Sequence, residues 1–234
     1  MKNHEFNTVK VSDGTEIDLY TAFPEGEGNF PAIIVIQEAF GVNHHIRNVA
    51  EKYCKEGYAV VSPDIFHRTG RLLDLSYNDF SKVMPHYQAV TNEGLAADLK
   101  ASYDFLQQQD NVVKDKIGSV GYCLGGKVSF LANAVLPLSA AVSYYGGSLE
   151  QLTGMAADLH APHLFFWGGL DKHITPDKVD AVIDAVKAAG KDYTNVVISY
   201  ADHAFSCDER PSYNALASKE AWAHSLAFFD NRLK

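Results

Sequence analysis

Ile117-Gly118-Ser119-Val120-Gly121-Tyr122-Cys123-Leu124-Gly125-Gly126 is the stretch on which the fold of this chain turns. Its first half is an apolar run of strand length, and helical spacing follows from Val128 to Ala134, so Cys123 falls between a buried strand and a helix. Glycines stand two residues before it and two after. Side chains there would collide where strand and helix meet, and the residue between them is expected in a strained backbone conformation. This is the pattern of a nucleophile elbow, with Cys where Ser is usual. A cysteine at a helix N-terminus meets unpaired N–H groups and the positive end of the helix dipole, which favour thiolate over thiol. The Leu124 N–H would then point toward an oxyanion forming on a substrate. Taken alone the motif also has a bland reading, since Cys is common in cores and Gly in turns.

Around this stretch, short apolar runs recur at Pro31–Gln37, Tyr58–Ser62, Ala140–Tyr145, His163–Trp167 and Val196–Tyr200. Hydrophobicity is continuous through them, as strands covered on both faces require. Segments of helical spacing lie between: Asn92–Gln109, Asp177–Ala189 with Pro176 at its first turn, and Ser212–Phe229. Alternating strands and helices predict an α/β fold with a mainly parallel central sheet flanked by helices. Ahead of it, Thr8–Val11 and Glu16–Phe23 flank Asp13-Gly14 and read as an N-terminal antiparallel hairpin. Arg68–Thr91 is irregular and fits either a crossover connection or a flap.

At 234 residues, and without linker or repeat, residues 1–234 are expected to form a single domain. A net charge of −9 with no Lys/Arg cluster argues against a nucleic-acid partner. No apolar run follows the first Lys, so no signal peptide is expected, and no stretch reaches the roughly 20 apolar residues of a membrane span. Cys54, Cys123 and Cys207 cannot all pair and show no CxxC spacing, which points away from a disulfide framework or a zinc site and toward a reducing, cytoplasmic setting. A monomer is expected.

Two further residues join Cys123. The strand His163–Trp167 runs into Gly168-Gly169-Leu170-Asp171, and Val196–Tyr200 runs into Ala201-Asp202-His203. Both Asp171 and His203 therefore sit on loops at strand C-termini, the edge where parallel sheets gather their sites. The order nucleophile, acid, base is one that strand–elbow–helix enzymes use. Each residue alone is ordinary, Asp171 as a turn former and His203 as one of ten histidines. Asp202 is the alternative acid. Glu38, just after the most apolar strand, would be costly there without a partner; pointing to water and pairing with Arg47 are its other readings.

With Gln37-Glu38 and Phe40-Gly41-Val42-Asn43, Ser62-Pro63-Asp64, Gly121–Gly126, Tyr144-Tyr145-Gly146, Gly168–Asp171 and His203-Ala204-Phe205 in order, the chain resembles the dienelactone hydrolase family of the α/β-hydrolase superfamily over nearly its whole length. The resemblance implies hydrolysis of small lactones or carboxylic esters by a Cys123–His203–Asp171 triad through a thioester, with neither metal nor organic cofactor. It implies an oxyanion hole from the Leu124 and Ala39 N–H groups and a Glu38 that tunes the thiol. It also implies a substrate pocket that includes Gln37, Phe40, Tyr145 and position 207. One departure concerns the substrate. Members that open carboxylate-bearing lactones carry Arg where this chain has Cys207, and Cys cannot replace a bidentate Arg. Anionic lactones are therefore expected to bind weakly unless Arg68, Arg71, Lys82 or Arg210 reaches the pocket. The competing readings are a Cys-dependent esterase of neutral acyl or phosphoryl esters, a catalytically silent binding module, and a redox sensor with Cys207 as resolving thiol.

Overall fold

Residues 4–234 are described by a computed structural model; Met1–Asn3, the start of the segment read above for a signal peptide, lie outside the described residues. The chain divides into two compact units, Met1–Ile117 and Gly118–Lys234.

The first unit opens on the expected hairpin, β1 (His4–Lys10) pairing antiparallel with β2 (Glu16–Ala22) through the Asp13-Gly14 turn. Gly14 has φ +88°, the left-handed region such a turn demands. β3 (Phe30–Ile36) follows, and Ala32 through Ile36 are completely buried, which is why no polar alternation marks that run. Then come α1 (His44–Lys55), β4 (Ala59–Pro63), α2 (Phe80–Ala89) and α3 (Asn92–Gln108). β4 pairs antiparallel with β2 and parallel with β3. α1 packs on β2, β3 and β4 through Ile46, Val49, Ala50 and Tyr53, and Asn43 caps it by accepting the Ile46 N–H at 3.2 Å. Val11, Ile17 and Leu19 form a core cluster with Ala97, Ala101 and Phe105 of α3.

The irregular 68–91 segment is tied down within this unit. Arg68 bridges Asp13 and the fully buried Asp98, Arg71 pairs with Asp18, and the Leu72 N–H donates to Asp64 at 2.6 Å. Phe40 packs on Tyr77, and Asn43 donates to the Tyr77 hydroxyl at 2.7 Å. A Cβ on Gly41 would lie 1.9 Å from the Leu73 carbonyl oxygen. The segment is thus a strap across the loop after β3.

β5 (Val112–Tyr122) carries the boundary between the units. Next come α4 (Leu124–Val135), β6 (Ala140–Tyr144), a 3-10 helix (Leu149–Asp158), β7 (His163–Gly168), α5 (Pro176–Ala188), β8 (Tyr193–Ile198) and α6 (Ala215–Leu233). In the second unit β6 pairs parallel with β5 and β7, and β7 parallel with β8. α4 packs on β6, and α6 on β6 and β7.

Candidate active site

β5 ends at Tyr122 and α4 begins at Leu124, leaving Cys123 as the single hinge residue at φ 55°, ψ −115°. An L-residue in such a region costs about 1–3 kcal/mol, so the surroundings must impose it. They do so on both sides. The Cys123 N–H donates to the Tyr144 carbonyl at 3.1 Å, and the Gly126 N–H to the Cys123 carbonyl at 2.9 Å. A Cβ on Gly121 would sit 1.8 Å from the Gly125 carbonyl oxygen, and one on Gly126 would sit 2.7 Å from both Gly146 Cα and the Tyr144 oxygen. Glycines here are a steric requirement of the strand–helix junction.

Asp171 and His203 arrive on two loops that are laced together. The Gly169 N–H donates to Ile198 and the Leu170 N–H to Ala201, at 2.8 and 2.9 Å. Gly168 and Gly169 permit this approach, since Cβ atoms there would lie 2.7 Å from the Ala201 oxygen and 2.6 Å from Ser199 Cα. His203 then spans the other two groups: Nδ1 lies 2.7 Å from Asp171 Oδ2 and Nε2 lies 3.2 Å from Cys123 Sγ. The second Asp171 oxygen accepts the His173 and Ile174 N–H groups at 2.8 and 3.1 Å. Asp202 is exposed and accepts the His203 backbone N–H instead, so Asp171 is the acid that faces the ring. Tyr145 and Ala204 beside His203 also have positive φ, at 38° and 61°. Among the described residues, three of the five non-glycine residues with positive φ belong to this constellation.

Burial pushes the His203 imidazolium down, but the Cys123 charge and the Asp171 hydrogen bond push harder, and its pKa is raised to about 10. Burial likewise opposes ionisation of Asp171, yet hydrogen bonding to His203 leaves its pKa below the ordinary carboxylate value. Cys54 is the contrast: burial pushes its thiol up to about 11, as expected of an inert core cysteine. All three cysteines are free thiols. Among the described residues no three His, Cys, Asp or Glu side chains group as a metal site.

The dienelactone hydrolase family model matches residues 17–233. The chain belongs to the dienelactone hydrolase family. Curated relatives named "Putative carboxymethylenebutenolidase" include one of Yersinia pestis, 32% identical over 97% of this chain and 88% of its own length. Another, of Methylorubrum extorquens, is 34% identical over 94% of this chain and 78% of its own. Among solved structures, a "Putative Dienelactone Hydrolase" from Klebsiella pneumoniae superposes with a TM-score of 0.87 at 31% identity, covering 97% of this chain and 98% of that one. A dienelactone hydrolase-like promiscuous phosphotriesterase from metagenomic libraries shares the fold, with a TM-score of 0.85 at 23% identity over 99% and 100% of the two chains. This dienelactone hydrolase family member is therefore an ester-hydrolysing enzyme with the α/β-hydrolase fold, a mainly parallel sheet flanked by helices behind an antiparallel hairpin. No helix among the described residues is long and apolar enough to cross a membrane.

The remaining candidate residues of this family member lie as follows. Leu124 is the first residue of α4, and Tyr145 is fully buried with its ring centroid 5.3 Å from that of His203. In the first unit, Glu38 is fully buried and so does not point to water, Ala39 and Phe40 follow it in the loop after β3, and the Gln37 amide accepts the Ile65 N–H at 3.2 Å. Cys207 is fully buried, so an arginine there would need space the packing does not offer. Of the four substitute cations, Arg68 is paired with Asp98 and Asp13, Arg71 with Asp18, and Lys82 with Asp79. One neighbour escaped the sequence reading: the His173 ring stands 6.1 Å from His203, and only its position two residues after Asp171 signalled it.

Proposed function

We propose that Cys123 is the nucleophile of a small-lactone or carboxylic-ester hydrolase that works through a thioester. The observation that carries this reading is His203 spanning Cys123 Sγ and Asp171 within hydrogen-bond reach of both. With its pKa raised to about 10, His203 rests as the imidazolium, facing Cys123 Sγ at 3.2 Å. A lone neutral imidazole, the form a base with an ordinary histidine pKa would take, does not suit this environment.

In the first half-reaction the Cys123 thiolate adds to the carbonyl carbon and forms a C–S bond. The oxyanion meets the Leu124 N–H at the start of α4. Collapse breaks the acyl C–O bond, and His203 gives its proton to the departing oxygen, now an alcohol, or a hydroxyl on the same molecule for a lactone. His203, now neutral and oriented by Asp171, takes a proton from water as that water attacks the thioester. The C–S bond breaks, the carboxylic acid leaves, and thiolate and imidazolium are restored. Every proton and electron pair is accounted for by the substrate, water and these side chains, so the cycle calls for neither metal nor organic cofactor. A nucleophilic thiol in a chain whose other two cysteines are also free thiols fits a reducing, cytoplasmic setting.

Cys123→Ala tests the reading. It should fold, lose essentially all turnover of a simple activated ester, and lose rapid iodoacetamide labelling. Retention of more than about 5% of the wild-type rate would remove Cys123 from the mechanism.

A further inference from the structure

A chain of buried hydrogen bonds reaches the elbow at Gly126. Ser143 of β6 lies 2.6 Å from the Gly126 carbonyl through its hydroxyl and 2.8 Å from His163 Nε2. His163 Nδ1 lies 3.2 Å from Asn133 Nδ2, and Asn133 holds both polar groups of the Ala161 backbone at 2.9 Å. Ser143, His163 and Asn133 are all buried, and none takes part in the reaction described above.

The proton directions in this chain follow from donor and acceptor capacity. The Ala161 N–H must donate to Asn133 Oδ1, which fixes the Asn133 amide and leaves Nδ2 as donor to the Ala161 carbonyl and to His163 Nδ1. Nδ1 therefore accepts, and the neutral ring carries its proton on Nε2. The hydroxyl proton of Ser143 is committed to the Gly126 carbonyl, which can only accept, so His163 Nε2–H donates to Ser143 Oγ. Burial keeps His163 neutral by holding its pKa down to about 3, which preserves this one arrangement at working pH. The adjacent residue, Tyr144, accepts the Cys123 N–H. β6 thus grips the first turn of α4 at both ends, at Cys123 by a carbonyl and at Gly126 by a hydroxyl that a histidine orients.

We propose that Ser143 and His163 are positioning residues for hydrolysis: through Gly126 they fix the 123–126 turn and hence the aim of the Leu124 N–H at the oxyanion. This rests on the reading of Cys123 as nucleophile. The test separates ester hydrolysis, which needs the oxyanion contact, from alkylation of Cys123 by iodoacetamide, which does not. Ser143→Ala should lower kcat by about ten- to a hundredfold, the scale of a small misplacement at a reacting centre, while KM stays within about twofold. Its alkylation rate and pH midpoint should remain those of the wild type. His163→Gln, whose amide N–H can stand in for Nε2–H, should keep more kcat than His163→Leu. Ser129→Ala serves as a control, because it breaks a buried hydroxyl pair with Ser119 at 2.8 Å that does not reach the turn, and its kcat should hold. Wild-type kcat in Ser143→Ala would overturn the proposal, as would equal loss of hydrolysis and alkylation. Should Ser143→Ala fail to fold, the His163 pair decides alone, and equal kcat in Gln and Leu overturns it. Failure of the nucleophile reading itself looks different: Cys123→Ala would keep its turnover.

Discussion

At the scale of single residues, the proposed chemistry depends on the charge state of His203. Burial would lower its pKa, and Cys123 and Asp171 raise it instead to about 10. The imidazolium is therefore the resting form at neutral pH, and it is lost only as pH climbs through about 10. The pH profile of kcat/KM should accordingly lack an acid limb near the ordinary histidine value of about 6.5 and fall on the alkaline side near 10. NMR titration of His203 provides the direct check. Cys123→Ser removes the negative charge that does most to raise the ring's pKa, so its midpoint should drop well below the wild-type value. Equal midpoints in the two proteins would show that the pair is not charge-coupled. Cys123, Asp171 and His203 were each legible in the sequence because each follows an apolar run of strand length. Their charge states were not, because these depend on through-space partners 80 and 32 residues away in sequence.

At the scale of elements, the elbow is a steric construction. Gly121→Ala would place a Cβ 1.8 Å from a backbone oxygen, and no side-chain rearrangement relieves that. Urea unfolding should register a loss of more than about 3 kcal/mol, among the large effects reserved for strain and overpacking. A variant within about 0.5 kcal/mol of wild type would mean that the junction opens more easily than this geometry implies. The same elements show what a sequence discloses. The buried half of β5 stood out as an apolar run, whereas Lys114, Asp115 and Lys116 concealed its first half, so the strand is Val112–Tyr122 and not Ile117–Gly121. β8 is Tyr193–Ile198, earlier than the Val196–Tyr200 run, because its largely exposed residues leave no continuous apolar signal. α6 starts at Ala215, where Asn214 caps it by accepting the Ala217 N–H, and not at Ser212. α1 was not singled out although its Ile46–Tyr53 spacing is helical, and α2 was hidden by Pro85 inside it.

At the scale of the whole molecule, the enzyme carries a buried neutral histidine whose influence extends to global stability. His163 is held down to about 3, so the folded chain refuses a proton that the unfolded chain accepts below about pH 6.5. Its contribution is complete above that pH and is lost as pH falls, at about 1.4 kcal/mol per unit. Urea unfolding at pH 7 and pH 5 should therefore show wild type losing about 2 kcal/mol more than His163→Gln. Equal losses would mean that His163 is protonated in the fold. The central claim, a thioester on Cys123, is reached most directly by acid-quenching the enzyme during turnover of an activated acyl ester and mapping the acyl group by peptide mass spectrometry. The acyl mass should appear on the peptide containing Cys123 and vanish on treatment with hydroxylamine. An acyl group on any other residue, or a stoichiometric burst of product with Cys123 unmodified, would contradict the account.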